Sequence, residues 1–196
     1  MKNRIKEKLP AHIISVHSDS DLFVADYKNF NNGEVVIGKD EPQDIGSVYL
    51  NNKYNVEVCF DGFKDNALPV IGGDNCSQCE CVIFPNRCHL EDWILFIELK
   101  YAYCKESAFN KDHNYPNCMM DQIISTVEYF RRNDIIPQEK QVKAIVAFPE
   151  LIKSQSAFIL SPEDITRISL DNKITIRGTR SATIKSETRL KLNSYQ

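Results

Sequence analysis

In the first third of the chain, apolar residues fall into short runs between turn-forming residues; later the runs lengthen. Residues 22–25, 35–38 and 56–60 are rich in β-branched and aromatic side chains. They lie between Asn31-Asn32-Gly33, Asp40-Glu41-Pro42 and Asn51-Asn52, the composition of short strands joined by turns. Gly72-Gly73-Asp74-Asn75 breaks the pattern. Residues 79–84 then form a β-branched and aromatic run, 85–92 a turn region, and 93–103 a longer apolar run. After a polar loop, Met120, Ile123, Ile124, Val127 and Phe130 recur at helical spacing. This predicts a helix over 117–133, with Arg131-Arg132 suited to its C-terminal end. Residues 142–148 read as a buried strand closed by Pro149. Residues 160–170 carry helix-start chemistry, with Ser161 as N-cap, Pro162 at the first helical position and Glu163-Asp164 in the first turn. Strands over 173–177 and 182–185 follow the turn Asp171-Asn172. The order strand–strand–helix–strand–helix–strand predicts an α/β fold around a mixed central β-sheet flanked by helices.

Composition narrows this picture. A chain of 196 residues, 42% hydrophobic and 26% charged, suits one globular domain, residues 1–196. The apolar runs all fall short of the roughly 18 residues that span a bilayer, so no membrane partner is expected. Glu7, Lys8, His12, His17 and Asp19 interrupt any apolar signal region behind the charged N-terminus, so the expected location is the cytoplasm. Seven cysteines, an odd number, argue against a disulfide framework. Cys76, Cys79, Cys81 and Cys88 fit a C-x2-C-x-C-x6-C pattern that a zinc-stabilised module could use. Cys79 and Cys81 fall within an expected strand, pointing to one face, where they read as small buried hydrophobes.

The net charge of −3 is against coating nucleic acid by charge alone, but the charge is uneven. From residue 151 onward Lys153, Arg167, Lys173, Arg177, Arg180, Lys185, Arg189 and Lys191 face only Glu163, Asp164, Asp171 and Glu187. This basic region, 151–196, suits contact with a phosphate backbone, as it also suits a solvated terminal hairpin.

The chemistry concentrates in Ile94-Leu95-Phe96-Ile97-Glu98-Leu99-Lys100. Both faces are apolar up to Ile97, which describes a central strand buried on two sides. Glu98 and Lys100, two residues apart, share one face, where opposite charges are costly unless paired or used. If Phe84 pairs with Ile94 across the turn, Glu80 falls opposite Glu98, with Cβ atoms about 4.5–5.5 Å apart. Two carboxylates so placed need a cation. Mg²⁺ (or Mn²⁺) typically takes one or two carboxylates and completes its shell with water. Glu80 and Glu98 are therefore the candidate metal ligands, and Lys100 the group that orients or deprotonates the attacking water and stabilises charge developing on phosphorus. The alternative is a buried Glu–Lys ion pair with a third carboxylate at the sheet end.

An acid in Cys79-Glu80-Cys81-Val82-Ile83-Phe84, then Phe96-Ile97-Glu98-Leu99-Lys100, then a helix and another strand, resembles the core of the PD-(D/E)XK nuclease superfamily, the restriction-endonuclease-like fold. The resemblance covers about residues 76–148, leaving 1–75 as an elaboration rich in loops and strands. It implies a metal-dependent nuclease acting on DNA in preference to RNA, with a homodimer expected where both strands are cut. Glu80 departs from the usual Asp by one methylene, and Asp74 in the preceding loop is an alternative ligand. Some branches of the family place a Gln on the following helix. Gln122 is the candidate, forming one stripe with Thr126 and Tyr129, although the spacing is not the Gln-x3-Tyr of the RecB-like branch. Arg177, Arg180 and Lys185 are the candidate phosphate contacts. Loss of activity through the Asp-to-Glu change would leave a binding protein on the same fold, such as a companion subunit of a defence or mobile-element system.

Residues 33–40 nearly fit a phosphate-binding P-loop, but the interior is a β-branched strand, Asp40 replaces the hydroxyl, and Pro42 follows. His12, His17, His89 and His113 form no metal-binding or nucleophilic pattern.

Overall fold

The computed structural model describes residues 1–28, 33–69, 77–87, 89, 91–100, 117–147 and 160–194. Its elements build two mixed sheets with three helices among the described residues. The first sheet runs β1 (Ile14–His17), β5 (Val58–Gly62), β6 (Cys81–Pro85), β7 (Leu95–Leu99), β8 (Val142–Ala147), β9 (Ile174–Gly178). β1, β5, β6 and β7 are successively antiparallel, and β7, β8 and β9 are parallel. The second sheet runs β11 (Arg189–Leu192), β10 (Ser181–Ser186), β4 (Ser47–Asn51), β2 (Asp21–Asp26), β3 (Val35–Gly38). The helices are α1 (Lys2–Lys8), α2 (Asn117–Arg132) and α3 (Pro162–Asn172).

Strands β6 and β7 are apolar on both sides because each side faces a different core. Val82, Phe84 and Phe96 pack with Ala144 and Val146 against Met119, Ile123, Val127 and Phe130 of α2. Cys81, Ile83, Leu95 and Ile97 pack with Ile145 against Leu22, Val24, Val48, Leu50 and Ile184 of the second sheet. The α/β class agrees with the sequence. The three helices among the described residues all pack on one face of the first sheet, and the second sheet covers the other. The strands of that sheet that join sequence-distant segments, β4 and β10, pair in parallel with Tyr49 opposite Ser181.

Local expectations held at α3, where the Ser161 side chain accepts from Asp164 N at 3.0 Å and Pro162 opens the helix. At the end of α2, buried Arg131 donates to Asn172 O at the end of α3 (2.7 Å) and to Lys140 O (3.0 Å). Residues 35–38 form edge strand β3 rather than a P-loop. The sequence-expected strand over 79–84 begins only at Cys81, so the two cysteines do not share a face: Cys79 packs toward the helices and Cys81 between the sheets. Both are fully buried, as small hydrophobes should be. No helix among the described residues is long and apolar enough to cross a membrane.

The two sheets approach closely at Gly62. A Cβ there would lie 2.7 Å from Val35 O of β3 and 3.0 Å from the Phe60 ring. Gly62→Ala is therefore expected to destabilise the protein by about 2 kcal/mol, as overpacking does elsewhere. A thermal melt indistinguishable from wild type would show that the sheets part without cost.

Candidate functional site

The β6–β7 register pairs Cys81 with Ile97 and Ile83 with Leu95, so one step further Glu80 faces Glu98. Glu80 lies just ahead of β6 and is held on both sides: its N–H donates to Ile97 O (3.0 Å), and its carbonyl accepts from Phe63 N (2.8 Å). Glu98 shares the parity of Phe96, on the helix side of the sheet, and is fully buried; Glu80 is 5% exposed. Lys100 continues the parallel pairing, its N–H donating to Ala147 O at 3.0 Å. Its Nζ lies 2.5 Å from Glu98 Oε1 and 3.6 Å from Glu80 Oε1, so those two carboxylate oxygens are within roughly 6 Å of each other. Glu80 Oε2 is paired with the Lys28 ammonium, which also lies 3.4 Å from Asp65 Oδ1.

Burial sets the protonation of this cluster. It pushes the Glu98 carboxyl up to about 8, against the pull of Lys100, with the Glu80 charge adding to the rise. Burial also raises Glu80, opposed first by Lys28 and then by Lys100, while Asp26 adds to the rise. For Lys28, burial lowers the ammonium, but Glu80, Asp26 and Asp65 together more than reverse that, and it stays charged. Glu98 Oε2 is buried with no hydrogen-bond donor among the described residues. An orphaned carboxyl oxygen within reach of a second carboxyl group is what a hard cation, by displacing the proton, would satisfy. These two carboxyl groups are the donors that would hold Mg²⁺ or Mn²⁺. No group of three or more His, Cys, Asp or Glu side chains gathers around a metal position among the described residues.

Helix α2 fixes the approach to Glu80. Gln122 Nε2 donates to Gln78 O (2.9 Å), and Thr126 Oγ1 accepts from Cys79 N (2.8 Å) while donating to Gln122 O (2.8 Å). Gln122 thus bonds the backbone two residues before Glu80. Gln78 in turn ties down the preceding loop, donating to Lys64 O (2.6 Å) and accepting from Leu68 N (3.1 Å).

The basic candidates do not converge. Arg177, on edge strand β9, donates to Leu192 O (3.3 Å) and Ser194 Oγ (3.4 Å). Arg180 follows Thr179, whose N–H bonds Val146 O at the Glu98 end of the sheet, but its Nε turns to Ser47 O at 3.2 Å. Exposed Lys185 precedes Ser186, whose carbonyl accepts from Trp93 Nε1 (2.9 Å). Trp93 is five residues before Glu98, roughly 16 Å along the strand.

Asp74, Cys76, Cys88 and His113 lie outside the described residues. Cys79 and Cys81 pack in different layers, and burial pushes both thiols up, away from the thiolate that zinc requires. Sequence reasoning missed Asp26 and Lys28. A signal was present: residues 22–25 are apolar and end in Asp26-Tyr27-Lys28, the same strand–acid–x–lysine order as Ile97-Glu98-Leu99-Lys100.

Fold and site together define an α/β protein with a buried cluster of two glutamates and two lysines at the end of its central strands. The chain matches no protein-family model, no curated protein and no solved structure.

Proposed function

We propose that the protein is a metal-dependent nuclease of the restriction-endonuclease-like type, hydrolysing phosphodiester bonds in DNA in preference to RNA. The observation that carries this reading is Glu80 and Glu98 within reach of one ion, with the Lys100 ammonium between them. The topology supports it: β5, β6 and β7 form an antiparallel meander, followed by α2 and parallel β8. That is the order of acid strand, E-x-K strand, helix and strand to which the sequence bears resemblance. Mg²⁺ or Mn²⁺, when bound, supplies a Lewis acid that lowers the pKa of water and offsets charge on the phosphoryl oxygens.

The remaining work falls to the chain. Glu98 is aimed by a strand paired on both sides, and Glu80 by the backbone bonds to Ile97 and Phe63. Gln122 and Thr126 position the segment ahead of Glu80. Lys100 presents N–H donors to the attacking water and to the oxygens that gain charge. Water forms the new P–O bond as the bond to one ester oxygen breaks, and that oxygen leaves with a proton as a hydroxyl.

A second reading has its own observation: each glutamate already has an ammonium partner, so the cluster also works as a static ion-pair network supporting a binding protein. Incubating the purified protein with plasmid and single-stranded DNA separates the two. Cleavage with Mg²⁺ or Mn²⁺ that stops with a chelator is the expected result. Intact substrate under all conditions would leave the static network standing.

A further inference from the structure

Lys28 gives the second sheet a part in this site. Strand β2 ends at Asp26, whose Oδ1 accepts from Lys28 N (2.9 Å), and this short turn carries the Lys28 side chain across to Glu80. The Lys28 side chain is only 15% exposed, whereas that of its other partner, Asp65, is 81% exposed. Between them opens a cleft of about 300 Å³ lined by Lys28, Glu34, Gly62, Phe63, Lys64 and Asp65. One side of the ammonium is thus committed to Glu80 Oε2, the oxygen of that buried acid that Lys100 does not pair. The other side faces the cleft and is met at 3.4 Å by a solvated carboxylate oxygen. Asp65 holds that position by an exposed contact that contributes little and is readily exchanged. Lys64 on the same cleft is held by an exposed pair with Glu34 at 3.0 Å, so Lys28 and Lys64 are the two cations that an incoming backbone would meet.

We infer that this cleft seats the nucleic-acid strand, and that Lys28 binds one of its backbone phosphates in the place held by Asp65. The inference rests on the nuclease reading and adds the path of the substrate. A phosphate oxygen replaces the Asp65 carboxylate on Lys28, with no covalent step. Lys28 is then a binding residue for a phosphate beside the one attacked, fixed in position by Glu80.

The test is binding of short fluorescein-labelled single-stranded DNA across a salt series, with Ca²⁺ replacing Mg²⁺ so that the strand stays uncut. Lys28→Gln is expected to weaken binding roughly tenfold and to reduce the slope of log affinity against log salt by about 0.7, the loss of one phosphate contact on a single strand. Lys28→Arg keeps the slope. Asp65→Ala tightens binding about threefold by removing the competing anion. Because Asp65 is exposed, that variant decides the matter even if Lys28→Gln fails to fold. Unchanged affinity and slope in the variants, with wild type still cutting DNA in Mg²⁺, would overturn the path while leaving the nuclease reading intact. Wild type that neither binds nor cuts any nucleic acid would overturn both.

Discussion

Lys100→Ala is expected to lower the cleavage rate by roughly 10²–10³-fold, the range for losing one donor aimed at developing charge. The loss should fall on kcat, with KM little changed, because the ammonium acts where charge develops in the transition state rather than where the strand is held. The fold should survive. The Lys100 backbone stays bonded to Ala147, and a fully buried Glu98 deprived of its cation takes up a proton instead of remaining an unpaired charge. Lys100→Arg should not rescue, since a planar guanidinium in the space between Glu80 and Glu98 cannot reproduce a compact ammonium 2.5 Å from Glu98 Oε1 and 3.6 Å from Glu80 Oε1. Single-turnover cleavage at saturating protein, beside a thermal melt, separates the chemical step from folding. A Lys100→Ala protein that cuts as fast as wild type would remove the basis of the enzyme reading.

The pairing behind that expectation was legible because it is local. Nine residues of turn region separate β6 from β7, and a hairpin of that size leaves few registers that keep both apolar runs buried. Pairing Phe84 with Ile94 across the turn is the register that sets Glu80 against Glu98, and the observed pairs share it. Helix α2 and strand β8 were legible for the same reason, since each carries its period within a single run. The second sheet was not. Its β4–β10 pair joins Tyr49 to Ser181, and a contact so distant in sequence leaves no pattern in either segment alone. That sheet brings Lys28 to Glu80, so residues that read as an elaboration complete the charge balance of the site. The basic C-terminal region shows the converse. A count of charges is readable, but the directions of Arg177 and Arg180 are set by the carbonyls of Leu192 and Ser47, which lie in other strands.

The buried glutamate predicts an inverted dependence of stability on pH. Glu98 has an ordinary value of 4.5 and is pushed up to about 8 in the folded protein by burial. Between those values the native state holds a proton that the unfolded chain has released, so raising the pH favours unfolding. The contribution is fully present below about 4.5 and is lost as pH rises through about 8. A buried carboxyl shifted this far corresponds to a change on the order of a few kcal/mol. Burial raises Glu80 and Asp61 in the same sense. His12 also moves up: burial lowers it, but its pairing with Asp61 outweighs that. The wild-type slope therefore sums several groups, and Glu98→Gln isolates one of them, because the amide stands in for the protonated acid and cannot ionise. Melts in chelator across pH 5–9 should show wild type falling steeply toward the alkaline end and Glu98→Gln falling much less. Adding Mg²⁺ at the alkaline end should raise the wild-type melting temperature and leave Glu98→Gln where it was, since a ligand that binds only the folded carboxylate stabilises only the protein that has one. Parallel curves for the two proteins would mean that Glu98 stays ionised in its ion pair with Lys100, and the site would then hold its charge without help from a metal.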